Sequence, residues 1–200
     1  MELRLGFLAS HGGSNVQAIL DAIRAGRLPA APRLVISNNS QAQVLARAAA
    51  AGVPALHLSS ATHPDIEALD RALLAALQEA GVNLVILAGY MKKLGAPVLA
   101  AYRGRVLNIH PALLPRHGGQ GMFGMHVHRA VIAAHEAESG ATVHIVDEEY
   151  DRGPILAQVR VPVLPLDTPD TLAARVLATE HRLYPDTLRR IALDEIRLDG

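Results

Sequence analysis

Apolar residues in the first half of the chain recur at two spacings. Residues 3–9 form a short apolar run that ends in Ser10-His11-Gly12-Gly13-Ser14-Asn15. Val16, Ile19, Leu20 and Ile23 then recur at helical intervals, and Gly26 with Pro29 closes that segment. The same alternation predicts a second strand over 33–37, an alanine-rich helix over 41–51 and a third strand over 53–58. Residues 64–80 carry Ile66, Leu69, Leu73, Leu74 and Leu77 on one side, which predicts a helix ended by Gly81. A further apolar run, 82–87, predicts a fourth strand, and 106–110 a fifth.

Strands that are apolar on both faces and alternate with helices predict an α/β fold. The expected architecture is a doubly wound, mostly parallel sheet covered on both sides, with ligands at the carboxyl ends of its strands. In the second half, 126–138 reads as a helix. Residues 142–146 and 155–163 read as strands joined by a polar turn around 147–153, an antiparallel addition to the sheet. Thr168 suits an N-cap and Pro169 the first position of a last helix running to about Arg190. No internal repeat and no dividing linker is present, so a single domain over 1–200 is expected. The Gly-rich stretch 118–124 is a loop within it.

Composition narrows the chemistry. Half of the 200 residues are apolar, and 19 basic residues balance 19 acidic ones, so no basic excess draws in a nucleic acid. The absence of cysteine excludes disulfides, thiolate catalysis and cysteine-based metal sites. No apolar run approaches the ~20 residues of a membrane span. The first residues lack a signal-peptide pattern, and a cytoplasmic location is expected.

Asn108 and His110 are two residues apart at the end of a predicted strand, so they point to one face. An amide donor beside an imidazole polarises a carbonyl, and a later carboxylate, Asp151, would hold the imidazole's charge and pass protons. Acyl transfer to an amine needs these groups. A nearby ionised Asp151 is expected to raise the His110 pKa above its ordinary value of about 6.5. Gly13, Ser14 and Asn15 lie in the first βα turn, where backbone amides favour an anion such as phosphate. The plainer reading is a turn with Ser14 or Asn15 as N-cap, since the motif fits neither the dinucleotide nor the triphosphate fingerprint. After the fourth strand, Met91 and Leu94 offer an apolar wall, and Lys92 and Lys93 could meet a carboxylate. Ten histidines are scattered; His126 and His128, two apart on a predicted helix, do not share a face, and no metal is expected.

Taken together, these segments resemble the phosphoribosylglycinamide formyltransferase family of folate-dependent enzymes. The likeness runs from Gly13-Ser14-Asn15 through Asn108-Ile109-His110-Pro111-Ala112-Leu113-Leu114-Pro115 to Glu180-His181 and Tyr184-Pro185. It implies a Rossmann-like formyltransferase fold, with a phosphate-binding half over 1–110 and a folate and catalytic half over 111–200. It implies 10-formyltetrahydrofolate as co-substrate, glycinamide ribonucleotide as acceptor, and a monomer or homodimer with small-molecule ligands only. By that resemblance Asn108 binds the formyl oxygen, and His110 as imidazolium stabilises the oxyanion. Asp151 shuttles protons, Gly13, Ser14 and Asn15 cradle the phosphate, and Glu180 meets the ribose. Met91, Lys92, Lys93 and Leu94 would line the pterin pocket together with Asp147, Glu148, Glu149 and Tyr150. The chain departs from the family pattern at His11-Gly12, at Ile66 and in a longer stretch 116–125, which reads as a flap over the substrate. A formyltetrahydrofolate hydrolase or a methionyl-tRNA formyltransferase is the nearest rival, but each is expected to carry an extra domain. A non-catalytic binding module on the same fold is a rival of another class.

Overall fold

A computed structural model describes residues 2–198. Five strands follow one another with helices between them: β1 (Leu3–Leu8), β2 (Ala30–Ser37), β3 (Ala55–His57), β4 (Leu84–Leu87) and β5 (Val106–His110). The intervening helices are α1 (Ser14–Arg24), α2 (Gln43–Ala50), α3 (Ile66–Glu79) and α4 (Ala96–Ala101). After β5 come α5 (Met125–Ala133), β6 (Glu138–Ile145), β7 (Ile155–Pro162) and the long α6 (Pro169–Ala192). The sheet has seven strands in the order β3-β2-β1-β4-β5-β6-β7. The first five are parallel, and β6 and β7 join antiparallel, as the change of pattern predicts.

Period-two alternation divides the core between the two faces. Leu3, Leu5 and Phe7 of β1, Leu84 and Ile86 of β4, and Leu107 and Ile109 of β5 pack with α1 and α6 in one cluster. Leu8, Val85, Leu87 and Val106 pack with Leu73 and Leu77 of α3 and Val98 of α4 on the other face. Tyr184, fully buried in α6, places its hydroxyl 3.1 Å from the Leu87 carbonyl and 3.0 Å from that of Leu107. It ties α6 to the carboxyl end of β4 and to the start of β5. Thr168 caps α6 with Pro169 first in the helix, as the sequence predicts, and Thr171 completes a reciprocal capping box.

The chain order reverses between β1 and β4: β2 and β3 lie on one side, β4 and β5 on the other. At such a switch point the loops part and leave a crevice. Ser10 holds the loops around it in place. Its N–H donates to the Gly89 carbonyl (3.0 Å), and its hydroxyl accepts from Met91 N–H (2.8 Å) and donates to Asn38 Oδ1 (2.5 Å).

Three expectations change. The helix read over 126–138 ends at Ala133, where His135 turns left-handed at φ 51°, and pairing of Glu138 with Pro162 starts β6 four residues before the expected 142. The helix-favouring residues there yield to tertiary pairing. The single-turn-and-a-half α4, with Pro97 in its first turn, carries too few residues to show a period and was not foreseen. β3 is a three-residue edge strand, and its exposed Ala55 and Leu56 limit the pairing. No helix among the described residues is long and apolar enough to cross a membrane.

Candidate active site

The crevice is a cavity of about 1040 Å³ at the carboxyl ends of β1, β4 and β5. Three sets of side chains meet in it: the turn before α1, the loop after β4, and the end of β5 with the β6–β7 connection.

At the first, the helix N-cap is Gly13, with no side-chain cap hydrogen bond. That overturns the reading of Ser14 or Asn15 as the cap. An α-helix leaves its first four N–H groups without intrahelical acceptors, and these carry the positive end of its dipole. Gly13, Ser14 and Asn15 all line the cavity. Asn15 does something else with its side chain: Nδ2 donates to Glu180 Oε2 at 2.7 Å, and Oδ1 is buried without a partner. Arg47, which no motif in the sequence singles out, braces the turn by donating from Nε to the Gly12 carbonyl at 2.7 Å.

Burial pushes the Glu180 carboxyl up to about 7, with the Asn15 amide pulling the other way. A folded-state pKa above the unfolded one means that the folded protein binds the extra proton. This contribution is fully present below about 4.5 and is lost as pH rises through about 7. The rise from 4.5 to about 7 corresponds to on the order of 3 kcal/mol. Urea unfolding of Glu180→Gln is therefore expected to lose less stability between pH 4.5 and 7 than the parent. Parallel stability curves for the two proteins would exclude this burial cost.

In the loop after β4, Met91 and Lys92 stand at the rim and Leu94 is buried among the core residues beside α3. Lys93 Nζ lies 5.5 Å from the centre of the Tyr150 ring, a cation–π contact that links this loop to residues 147–150. Asp147, Glu148, Glu149 and Tyr150 line the same cavity, as do residues 119–126 of the Gly-rich stretch.

The third set is the most constrained. Asn108 and His110 share a face of β5, as period two requires, and Asp151 reaches them from the β6–β7 connection. His110 Nδ1 is 3.5 Å from Asp151 Oδ2. His110 Nε2 donates to the His117 carbonyl at 2.8 Å, and Gly119 N–H donates to Asp151 Oδ2 at 2.9 Å. A fourth residue completes the group. His144 of β6 pairs with Asn108 across the antiparallel ladder, and its Nε2 lies 3.2 Å from Asn108 Nδ2 and 3.5 Å from Asp151 Oδ1. Its Nδ1 donates to the Ile145 carbonyl at 2.9 Å, so in neutral His144 Nε2 accepts from Asn108. The second Asn108 amide hydrogen is left for a ligand. His144, one of the ten scattered histidines, enters the site only through the ladder register that sets it opposite Asn108.

Electrostatics correct one expectation. Asp151 pulls the His110 pKa upward, but burial of the ring outweighs it and leaves His110 below its ordinary value. The lowered pKa favours the neutral ring. For Asp151, burial pushes the carboxyl up, yet the contacts with His144, His110 and Gly119 N–H prevail and keep it below the usual range. The two 3.5 Å separations are long for direct hydrogen bonds. His128 is buried with Nδ1 unpartnered, while His126 stacks edge-on against Phe123; they do not act together. Among the described residues no group of three or more His, Asp or Glu side chains is arranged so that it could hold a metal ion.

Comparison with known proteins decides the family. The formyl transferase profile matches residues 3–188. The chain belongs to the formyl transferase family. Its formyl transferase relatives include the phosphoribosylglycinamide formyltransferase of Escherichia coli (strain K12), 39% identical over 178 residues, 89% of this chain and 82% of that protein. The glycinamide ribonucleotide transformylase 1 of Symbiobacterium toebii superposes with a TM-score of 0.92 at 44% identity, covering 100% of this chain and 92% of that one. The trifunctional purine biosynthetic protein adenosine-3 of Drosophila pseudoobscura pseudoobscura is 42% identical over 97% of this chain, which spans 14% of that longer protein.

Proposed function

We propose that this formyl transferase moves the formyl group of 10-formyltetrahydrofolate to the glycinamide amine of 5-phosphoribosylglycinamide, a step of de novo purine biosynthesis. The observation that carries the reading is the junction of Asn108, His110, His144 and Asp151 in one cavity with the first turn of α1. The names of the similar proteins support the same substrates.

The roles follow from the atoms. The free Asn108 N–H donates to the formyl oxygen. The neutral amine attacks the formyl carbon, and the carbonyl π pair moves to oxygen. The amine's surplus proton passes to His110 Nδ1, through a water held by Asp151. The imidazolium so formed faces the new oxyanion, and Asp151 balances its charge. Collapse breaks the carbon–N10 bond, and the same proton leaves with N10 of tetrahydrofolate. The step uses hydrogen bonds and one shuttled proton. The α1 turn at Gly13, Ser14 and Asn15 takes the phosphate through its backbone, and Glu180, oriented by Asn15, takes the ribose hydroxyls. Met91, Lys92, Lys93 and Leu94 with residues 147–150 take the folate. In this reading the phosphate turn, Asn108, His110 and the loop after β4 come from residues 1–110, and His144, Asp151 and Glu180 come from the rest of one domain.

Mixing purified protein with both substrates is expected to give tetrahydrofolate, followed by absorbance, in step with formylated product. Formate release independent of the amine substrate would assign a hydrolase instead. Neither product would sink the proposal.

A further inference from the structure

His110 and Asp151 are held by one short stretch of backbone. The His117 carbonyl accepts from His110 Nε2, and two residues on Gly119 N–H donates to Asp151. His117 sits in left-handed backbone, φ 53°, a conformation that costs a non-glycine residue and persists only where the surroundings hold it. Gly118 has no room for a side chain: a Cβ would lie 2.4 Å from Leu114 Cδ2 and 3.2 Å from Asp151 Cβ. The turn is packed directly on the pair.

What holds the turn lies outside the cavity. His117 Nε2 is 3.2 Å from Glu136 Oε1, and Arg116 Nη1 is 3.1 Å from Glu136 Oε2. Glu136 stands in the link between α5 and β6, directly after left-handed His135, and does not line the cavity. One carboxylate bridges two successive residues of the turn. The side chains of His117 and Glu136 are 16% and 24% exposed, so this contact is screened less than a pair at the open surface.

We propose that Glu136 is a positioning residue: through Arg116 and His117 it fixes the turn 116–119, and the turn fixes which His110 nitrogen carries the resting proton and where Asp151 points. The inference rests on the catalytic reading of His110 and Asp151. A carbonyl only accepts, so its contact commits the proton to Nε2 and leaves the Nδ1 lone pair at the junction with Asn108, His144 and Asp151. If the turn loosens, the ring can adopt the other tautomer and donate Nδ1–H to Asp151. The lone pair that receives the amine's proton is then gone.

The test compares Glu136→Ala and Glu136→Gln with Glu138→Gln. Glu138 pairs with exposed Arg160 at 3.0 Å in the same part of the chain but has no contact with the turn. Glu136→Ala is expected to lower kcat roughly 3- to 10-fold, with KM for both substrates within about twofold of the parent. Glu136→Gln recovers part of the loss, because its amide oxygen still accepts from His117, and Glu138→Gln behaves as the parent. Imidazole nitrogen NMR is expected to show His110 as the Nε2–H tautomer in the parent and as a mixture in the Ala variant. If the Ala variant does not fold, the tautomer and kcat of the Gln variant carry the test. A lowered Tm with an unchanged tautomer and kcat would reduce Glu136 to a structural contact and overturn the proposal. Retained turnover in His110→Ala would instead overturn the catalytic reading beneath it.

Discussion

On the proposed roles, His110→Ala and Asp151→Asn are each expected to lower turnover by about a hundredfold or more, the loss typical of removing one preorganised group at an oxyanion. His110→Ala takes away both the proton carrier and the cation that faces the oxyanion. Nothing else within the junction replaces it, since His144 Nδ1 is committed to the Ile145 carbonyl and its Nε2 to Asn108. Asp151→Asn keeps the shape, and its amide oxygen still accepts from Gly119 N–H. It removes the charge that offsets burial of the His110 ring. An imidazolium in that site then lacks its counter-ion, and the His110 pKa falls further. A base that must start neutral loses activity below its pKa, so the acid limb of the kcat/KM profile is expected to move to lower pH in Asp151→Asn. His110→Ala abolishes that limb's dependence on the ring. Turnover near the parent's in both purified variants, or an acid limb that moves upward in Asp151→Asn, would refute these roles.

Much of this site was legible in the chain because strand geometry is local. The spacing of Asn108 and His110 alone puts both on one face of β5, and the Pro111 that follows ends the strand at the carboxyl edge. The uninterrupted apolar run of β4 points to a sheet buried on both faces, and Thr168-Pro169 marks the start of α6 to the residue. Other features depend on partners far off in sequence. His144 faces Asn108 only once β6 pairs antiparallel with β5 in one register, and a slip by one residue would turn it to the opposite face. Asn15 looked like a phosphate ligand or cap, and its Nδ2 is spent on Glu180, 165 residues later. The direction of the His110 shift also escaped the sequence, which shows that a carboxylate is available but not how deeply the ring is buried. Helix propensity misled at 134–138 because an edge pairing with β7 outweighed a few tenths of a kcal/mol per residue.

Gly13→Ala is expected to be the most disruptive single methyl in the turn proposed to bind the phosphate. Two independent costs add at this residue. Its φ of 68° is left-handed, which costs an alanine roughly 1–2 kcal/mol. A Cβ there would lie 2.3 Å from Val44 Cγ2 and 2.6 Å from Val44 Cβ, well inside van der Waals contact. Val44 is fully buried in the first turn of α2, so it cannot swing aside, and overpacking of this kind costs a further ~1–3 kcal/mol. For a chain of this size a combined loss of roughly 2–5 kcal/mol lowers Tm by about 5–15 °C. Relief requires α2 to withdraw. That movement strains the Val44 N–H bond to the His11 carbonyl (3.1 Å) and the Arg47 contact with the Gly12 carbonyl (2.7 Å), the two bonds that shape the turn. Glycinamide ribonucleotide is therefore expected to show a raised KM in this variant, while KM for the folate, bound by loops further along the cavity, changes little. Gly12→Ala is the control for stability: its Cβ would meet nothing nearer than Gln43 Oε1 at 3.9 Å, and its Tm is expected to match the parent. A Gly13→Ala protein with the parent's Tm would show that α2 yields without cost. One with the parent's KM for the phosphorylated substrate would place the phosphate somewhere other than this turn.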